Sequence, residues 1–304
     1  MTAVPNMRNS PNMLSECEFL HMADWEDLRH FVTLAREGTL SAAARTLGVD
    51  HATVARRVAA LETSTGLKLV DRRARATVLT DDGKRIAAVA APMEEAAFAV
   101  GRAAQAAKPG VDGEVTISAP PNFASSVIAP QLVRLRLQHP GIHIKLMGEK
   151  RRASLSRREA DIALRLMRPV EAGLFVRKIG SFGFSLYGAT NYLEKTPPHA
   201  FAFIGYDASM AESPQEVWLR GIVGEREVVL RTNDLETQVA AACAGLGVAA
   251  LPHYLGDSDP RLRRYAVTQK PISRDIWLAV HRDLRQVPAV RAVMDFLASC
   301  LEPR

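Results

Sequence analysis

Residues 28–86 read LRHFVTLAREGTLSAAARTLGVDHATVARRVAALETSTGLKLVDRRARATVLTDDGKRI, and the spacing of apolar side chains along this run decides the architecture. From Trp25 the positions Leu28, Phe31, Val32 and Leu34 or Ala35 recur at helical intervals until Gly38, which predicts a first helix with a glycine stop. Ser41 precedes a short second helix of small residues, Ala42, Ala43 and Ala44 with Leu47, closed by Gly48. Asp50 suits the N-cap of a third helix in which Val54, Val58 and Leu61 fall at i, i+4 and i+7 and face inward. That leaves His51, Ala52, Thr53, Arg56 and Arg57 on the outward face, with Ser41 at the start of the preceding helix. Two helices joined by a glycine turn, the second with a polar and basic outer face, form a helix-turn-helix whose side chains reach base edges or phosphates of DNA. Beyond it, Gly66 to Val70 and DRRARATVLT are two extended segments around an arginine-rich tip, a wing that offers Arg72, Arg73 and Arg75 to phosphates. A plain three-helix bundle with solvated arginines is the competing reading of the helices alone, and the wing separates the two.

The run is similar to the N-terminal winged helix of LysR-type transcriptional regulators. The likeness lies in GTLSAAARTLGV, in VARRVAALE, in Gly66-Leu67-Lys68-Leu69, in Asp71-Arg72-Arg73 and in Leu79-Thr80 followed by Gly83. The family usually has Ser-Gln where Asp50-His51 stand, Ser at Ala55, Gln at Arg57 and Phe at Val70. His51 and Arg57 change the base-reading surface, so the resemblance implies DNA binding without implying an operator sequence.

From Asp81 to Lys108 the chain is alanine, glutamate and apolar residues, with Ile86, Val89, Ala90, Met93, Ala97, Val100 and Ala104 on one helical stripe. A long amphipathic helix without its own core needs a partner. The resemblance implies a linker helix that joins two subunits through Ile86, Val89, Met93 and Val100 and sets two recognition helices on successive major-groove faces. The alternative is packing on its own chain. Pro92 lacks a backbone donor and crowds the carbonyl of Ala88, so a kink is expected there. Lys108-Pro109-Gly110 reads as a domain boundary.

In the second half strands and helices alternate. GEVTISAP, Ile142 to Met147, ADIALRL, VRKIGSFGFSLYG, Phe203 to Tyr206, Val228 to Leu230 and RDIWLAVHR read as extended. PNFASSVIAPQLVRLRLQHPGI, Leu235 to Ala244 and Val287 to Leu301 read as helices. The alternation predicts an α/β fold with mostly parallel sheet. GEVTISAP, HPGI, ADIALR, GLGVAALP and VRAVMDFL, in that order, resemble the LysR effector domain, a two-lobed fold like that of periplasmic binding proteins. The resemblance puts lobe one at residues 111–184 with 266–304 and lobe two at 185–265, behind a DNA-binding domain at 23–80 and a linker helix at 81–110. A small-molecule effector is then expected in the cleft, where helix N-termini present free N–H groups and favour a small anionic metabolite. The candidate residues are Ser118, Ala119, Asn122 and Phe123 in one turn, Asn233 and Leu235 in another, and Arg165 and Tyr206 at two strand ends.

Length and composition agree. At roughly 150 residues per domain, 304 residues predict about two domains. A content of 47% hydrophobic and 24% charged residues excludes global disorder and an integral membrane protein. The richest apolar stretch, Ile86 to Val100, holds Pro92, Glu94 and Glu95 and falls short of the roughly 18 residues of a membrane span. Residues 1–22 have no basic segment leading into an apolar core, which predicts a cytoplasmic protein. They read as a disordered tail or as a misplaced start, with Met22 the alternative to Met1. Cys17, Cys243 and Cys300 stand far apart with no CxxC, so neither a metal site nor a disulfide framework is expected. The formal net charge of +6 is concentrated near the front, where Arg56, Arg57, Lys68, Arg72, Arg73 and Arg75 outnumber Glu62 and Asp71. Lys150, Arg151, Arg152, Arg157 and Arg158 read as solvated surface. No GxSxG, phosphate-loop, HExxH or dinucleotide motif is present, which speaks against an enzyme. These features converge on a cytoplasmic, ligand-responsive DNA-binding regulator without cofactor, dimeric through the linker helix and, by the resemblance, a homotetramer. A solute-binding protein without DNA function is the alternative, but it leaves residues 23–108 unexplained.

Overall fold

The computed structural model describes residues 24–71, 78–106, 110–148, 155 and 159–301. The N-terminal tail with Met1 and Met22, the wing tip with Arg72, Arg73 and Arg75, Lys108 and Pro109 of the boundary, and the cluster Lys150, Arg151, Arg152, Arg157 and Arg158 lie outside the described residues. The chain divides into two compact units, residues 1–99 and 100–304.

In the first unit α1 (Trp25–Glu37), α2 (Leu40–Leu47) and α3 (His51–Thr65) close around Phe31, Leu34, Ala43, Val54, Val58, Leu61 and Leu69. The Asp24 side chain caps α1 by accepting from the Glu26 amide at 2.7 Å, and Gly38 ends the helix at φ 73°, a left-handed conformation that glycine takes without strain. Asp50 accepts from the Thr53 amide at 2.7 Å and from its hydroxyl at 2.9 Å, fixing the start of α3. The cap of α2 is Thr39, whose hydroxyl accepts from Ala42 N at 3.2 Å. Ser41 therefore sits exposed inside the first turn rather than in front of it.

Glu62, buried at the end of α3, fastens the start of the wing. Its Oε1 accepts from Leu69 N at 2.9 Å and Val70 N at 3.2 Å, and Lys68 Nζ lies 3.3 Å from Oε2. Burial alone would raise its pKa, but the two amides and the ammonium prevail and hold the carboxyl below its ordinary range. Because the folded pKa is depressed, this stabilisation is present above the unfolded value of about 4.3 and is lost as pH falls through the folded one. We expect Glu62→Ala to destabilise this unit by about 1–3 kcal/mol. Thermal unfolding of the variant checks it: an unchanged midpoint at neutral pH would show that the clamp contributes nothing.

β1 (Val70–Asp71) pairs with β2 (Val78–Leu79), and α4 (Asp81–Ala106) follows directly. Thr80 Oγ1 accepts from Gly83 N at 2.9 Å. A Cβ on Gly83 would lie 2.1 Å from the Leu69 carbonyl oxygen, so glycine is what lets α4 start against the wing. In α4, Ile86, Ala87 and Ala90 pack on the core of the three helices, and Arg36 reaches the buried Glu94 at 3.1 Å. Helix continues on both sides of Pro92. Val89, Met93 and Val100 stay 73%, 46% and 72% exposed.

The second unit holds one sheet with the strand order β4-β3-β5-β11-β6-β9-β7-β8 and β10 added to β6. The strands are β3 (Gly113–Ala119), β4 (Ile142–Gly148), β5 (Ile162–Arg165), β6 (Leu174–Ala189), β7 (Phe203–Tyr206), β8 (Val228–Thr232), β9 (Val248–Pro252), β10 (Leu262–Tyr265) and β11 (Ser273–His281). β3 pairs in parallel with β4 and β5, and β7 with β8 and β9. The pairings of β6 with β9, β10 and β11, and of β11 with β5, are antiparallel. The expected mostly parallel sheet is thus corrected to a mixed one, because β6 carries the chain from one lobe to the other and β11 returns beside it. Along β6 the partner is β11 from Leu174 to Gly183 and β9 from Phe184 to Tyr187.

The segment 121–138 is a broken helix rather than one continuous one: a turn at Pro121–Phe123, a wide π turn at Ala124–Ile128, a tight turn at Ala129–Gln131 and α5 (Leu132–Gln138). Pro130 has no N–H for the carbonyl four residues back, which disrupts the regular ladder. One core, around Ile117, Ile128, Ile162, Leu278, Val290 and Val293, lies between lobe-one strands and α8 (Pro288–Ser299). Lobe two packs Phe203, Leu219 and Val248 on the side of α6 (Pro214–Val223). On the side of α7 (Leu235–Cys243) it packs Ile204, Ala242 and Leu251. The last turns of α4, from Val100, belong to this unit, where Arg102, 2% exposed, donates from Nε to Asp283 Oδ2 at 3.0 Å just beyond β11.

Candidate functional site

On α3 the side chains proposed to meet DNA are placed unequally. His51, Ala52 and Arg56 are exposed, and Thr53 and Arg57 are half-buried. Thr53 is engaged by Asp50 in the cap. Arg57 Nη1 donates at 3.2 Å to Oδ1 of Asp27, a buried carboxylate in the first turn of α1. A guanidinium held on one side by a buried partner loses rotamer freedom and is presented in a fixed direction. The residue that fixes it, Asp27, was missed in sequence because it lies a full helix away. Its one signal is an acid on the apolar side of α1.

The second unit contains a cavity of about 490 Å³ between its lobes, within the roughly 300–1,000 Å³ range of small-molecule sites. Asn122, Arg165, Tyr206, Asn233 and Leu235, all candidates from sequence, line it. Ser118, Ala119 and Phe123 do not. Ser118 is fully buried behind Arg165, accepting from its Nη1 through the hydroxyl at 3.2 Å and the carbonyl at 3.3 Å. Ala119 is buried in the core, and Phe123 supports the cavity from beneath, stacked 6.3 Å from Phe182 and edge-on at 5.5 Å to Tyr254.

The rest of the lining was not legible in sequence. Phe182, Phe184 and Tyr254 contribute aromatic faces, Leu164, Leu166 and Met210 aliphatic ones, and Arg274 a guanidinium. The strand ends and helix starts of two lobes meet here, so polar groups are few and convergent. Tyr206 accepts from Gln215 Nε2 at 2.8 Å, which leaves its own O–H free to donate; burial pushes its pKa up to about 12, so it stays protonated. Arg274 Nη2 donates to the Leu166 carbonyl at 3.2 Å, and burial pushes its pKa below the ordinary arginine value. Asn122 has a buried side-chain nitrogen without a hydrogen-bond partner among the described residues. The cavity is therefore a mainly apolar pocket with donors in its wall and the carboxylates of Glu171, Glu212 and Asp234 also on its lining. Among the described residues, no group of three or more His, Cys, Asp or Glu is placed to hold a metal ion, and no helix is long and apolar enough to cross a membrane.

The family model for the LysR substrate binding domain matches residues 108–301, and that for the bacterial regulatory helix-turn-helix protein, lysR family, matches residues 25–84. The chain belongs to the LysR family of transcriptional regulators. It is similar to the Mau operon transcriptional activator of Paracoccus denitrificans, 28% identical over 283 residues that cover 90% of this chain and 95% of that protein. It is also similar to the AhcY transcriptional activator HvrB of Rhodobacter capsulatus, 36% identical over 155 residues, half of this chain and 51% of the relative. Among solved structures, full-length AphB of Vibrio cholerae matches with a TM-score of 0.60 and 24% identity over 91% of this chain and 99% of that one. A full-length OxyR of Pseudomonas aeruginosa matches with a TM-score of 0.57 and 20% identity over 92% and 98%. At these identities the likeness to the structures is one of fold. This LysR regulator combines a DNA-binding helix-turn-helix with a two-lobed effector-binding domain, as the sequence predicts, and its family regulates transcription rather than catalysing reactions. A solute-binding protein without DNA function is not favoured, since the matched helix-turn-helix has no place in one.

Proposed function

We propose that this chain is a cytoplasmic regulator that reads a bipartite operator as a homodimer, assembled further into a homotetramer, under the control of a small anionic effector held between its lobes. His51, Ala52, Thr53, Arg56 and Arg57 of α3 face the major groove with Ser41 beside them. Arg72, Arg73 and Arg75 neutralise phosphates. Val89, Met93 and Val100 join two copies of α4, with Ile86 bracing the helix against its own head. The observation that carries the reading is the exposed apolar stripe on α4, continuous with a DNA-reading head: Val89 is 73% exposed on the turns that pack Ile86, Ala87 and Ala90 on the head, and Val100 further along is 72% exposed. Two joined heads place their recognition helices one helical turn apart, about 34–36 Å.

Selection of bound fragments from a random duplex pool tests this. The selected sites are expected to be two inverted half-sites with centres about 10–10.5 base pairs, or a multiple of that, apart. Enrichment of a single unrepeated motif would overturn the dimeric reading.

A further inference from the structure

Four groups in the cavity wall decide what it can accept. Arg274 and Phe182 are cross-strand partners on β11 and β6, and Phe184 lies two residues further along β6. Opposed residues and residues at i, i+2 share a face of the sheet. Arg274 therefore shares its face of the sheet with Phe182 and Phe184, and all three line the cavity. Tyr254 closes the aromatic group, edge-on to Phe182 at 5.0 Å, while Phe182 and Phe184 lie 5.4 Å apart.

The two arginines of the cavity differ in what they already hold. Arg165 Nη1 donates to the hydroxyl and carbonyl of Ser118 and to the carbonyl of Leu164 at 2.9 Å, so it is tied to the protein. Arg274 gives one N–H to a neutral carbonyl, and none of the described carboxylates lies within ion-pair distance of it. A half-buried guanidinium with no counter-ion is costly unless something supplies the charge. Three carboxylates also line the cavity, Glu171 and Glu212 exposed and Asp234 half-buried with Oδ2 accepting from the Thr237 amide at 3.0 Å; together they would repel a second negative group on a ligand.

We propose that the cavity takes a monocarboxylate with an aromatic or compact alicyclic body, its carboxylate on Arg274 and its body against Phe182, Phe184 and Tyr254. Tyr206 O–H and the unsatisfied nitrogen of Asn122 are further donors in the same wall. The proposal rests on the reading of this cavity as the effector site and narrows its ligand from any small anion to one charge and one apolar body. Arg274 becomes the specificity-determining residue.

Isothermal titration of the full-length protein with benzoate, phenylacetate and cyclohexanecarboxylate, each beside its primary amide, tests the class without any variant. At least one acid is expected to bind about tenfold to a hundredfold tighter than its amide, the range of a hydrogen bond to a charged group. Phthalate, with a second carboxylate, is expected to bind more weakly than benzoate. Arg274→Leu should remove the preference for acid over amide and Arg274→Lys should restore part of it, with thermal unfolding confirming that both fold. No binding by any of the acids, amides binding as well as acids, phthalate binding more tightly than benzoate, or an unaltered preference in folded Arg274→Leu would each overturn the proposal. The DNA complex reports separately. Acids that bind through Arg274 without changing the protein's footprint on DNA would uphold the ligand class and defeat the effector reading alone.

Discussion

Val89→Asp or Met93→Asp is expected to leave the effector-binding unit folded while reducing the protein to monomers and its operator affinity to near the non-specific level. Both side chains are exposed on α4, at 73% and 46%, while Ala90 between them is buried in the head. In the single chain a carboxylate at either position meets water and costs little. Between two copies it would be buried without a partner, at a cost of several kcal/mol. Loss of the dimer removes the second half-site contact, which in the dimer is made at the high effective concentration of a linked module. Light scattering reads the association and gel shifts at physiological salt read the affinity. A monomer that still binds tightly would refute the dimer requirement, and a dimer that survives both substitutions would move the interface off this stripe.

The second large effect is expected at Arg56. Its side chain is exposed on α3, one residue from Arg57, and makes no hydrogen bond or ion pair with the described residues. A guanidinium paired with guanine contributes about 1–3 kcal/mol. Arg56→Ala is therefore expected to weaken operator binding about tenfold or more with no change in thermal stability. Arg57→Ala differs in kind, because it also strands the buried Asp27 carboxylate, so a fall in stability should accompany its loss of affinity. Equal affinity of Arg56→Ala and the unaltered protein would remove that side chain from the DNA contact.

What sequence conveys here is mostly local. The cap at Asp50, the glycine stops and the inward face of α3 follow from spacing alone, and the structure places Phe31, Val54, Val58 and Leu61 in one core. Strand direction has no such signature, since the alternation of side chains is the same in both senses, and β6 and β11 turned a sheet expected to be mostly parallel into a mixed one. The cavity was half visible. Turns at strand ends pointed to Asn122, Asn233 and Leu235, but Ser118 lies one pleat away and faces inward to hold Arg165. Arg274 could not be found from the front of the domain, because β11 returns to the cavity more than a hundred residues after β5. Ile86 and Val89 share a helical stripe in projection, yet the head covers the first and leaves the second bare.

The pairing of β6 with β11 has a mechanical consequence. The outgoing and returning crossings are hydrogen-bonded to each other from Gly183 and Ser273 to Leu174 and His281. Two separate strands would let the lobes swing about independent pivots. One ribbon permits bending and twisting but resists sliding of one strand along the other, which would break the ladder. The register irregularity between Ile276 and Trp277 adds local twist to the ladder. The two crossings thus leave lobe one side by side, from the paired end of a ladder at Gly183 and Ser273, rather than as two loose strands at separate points.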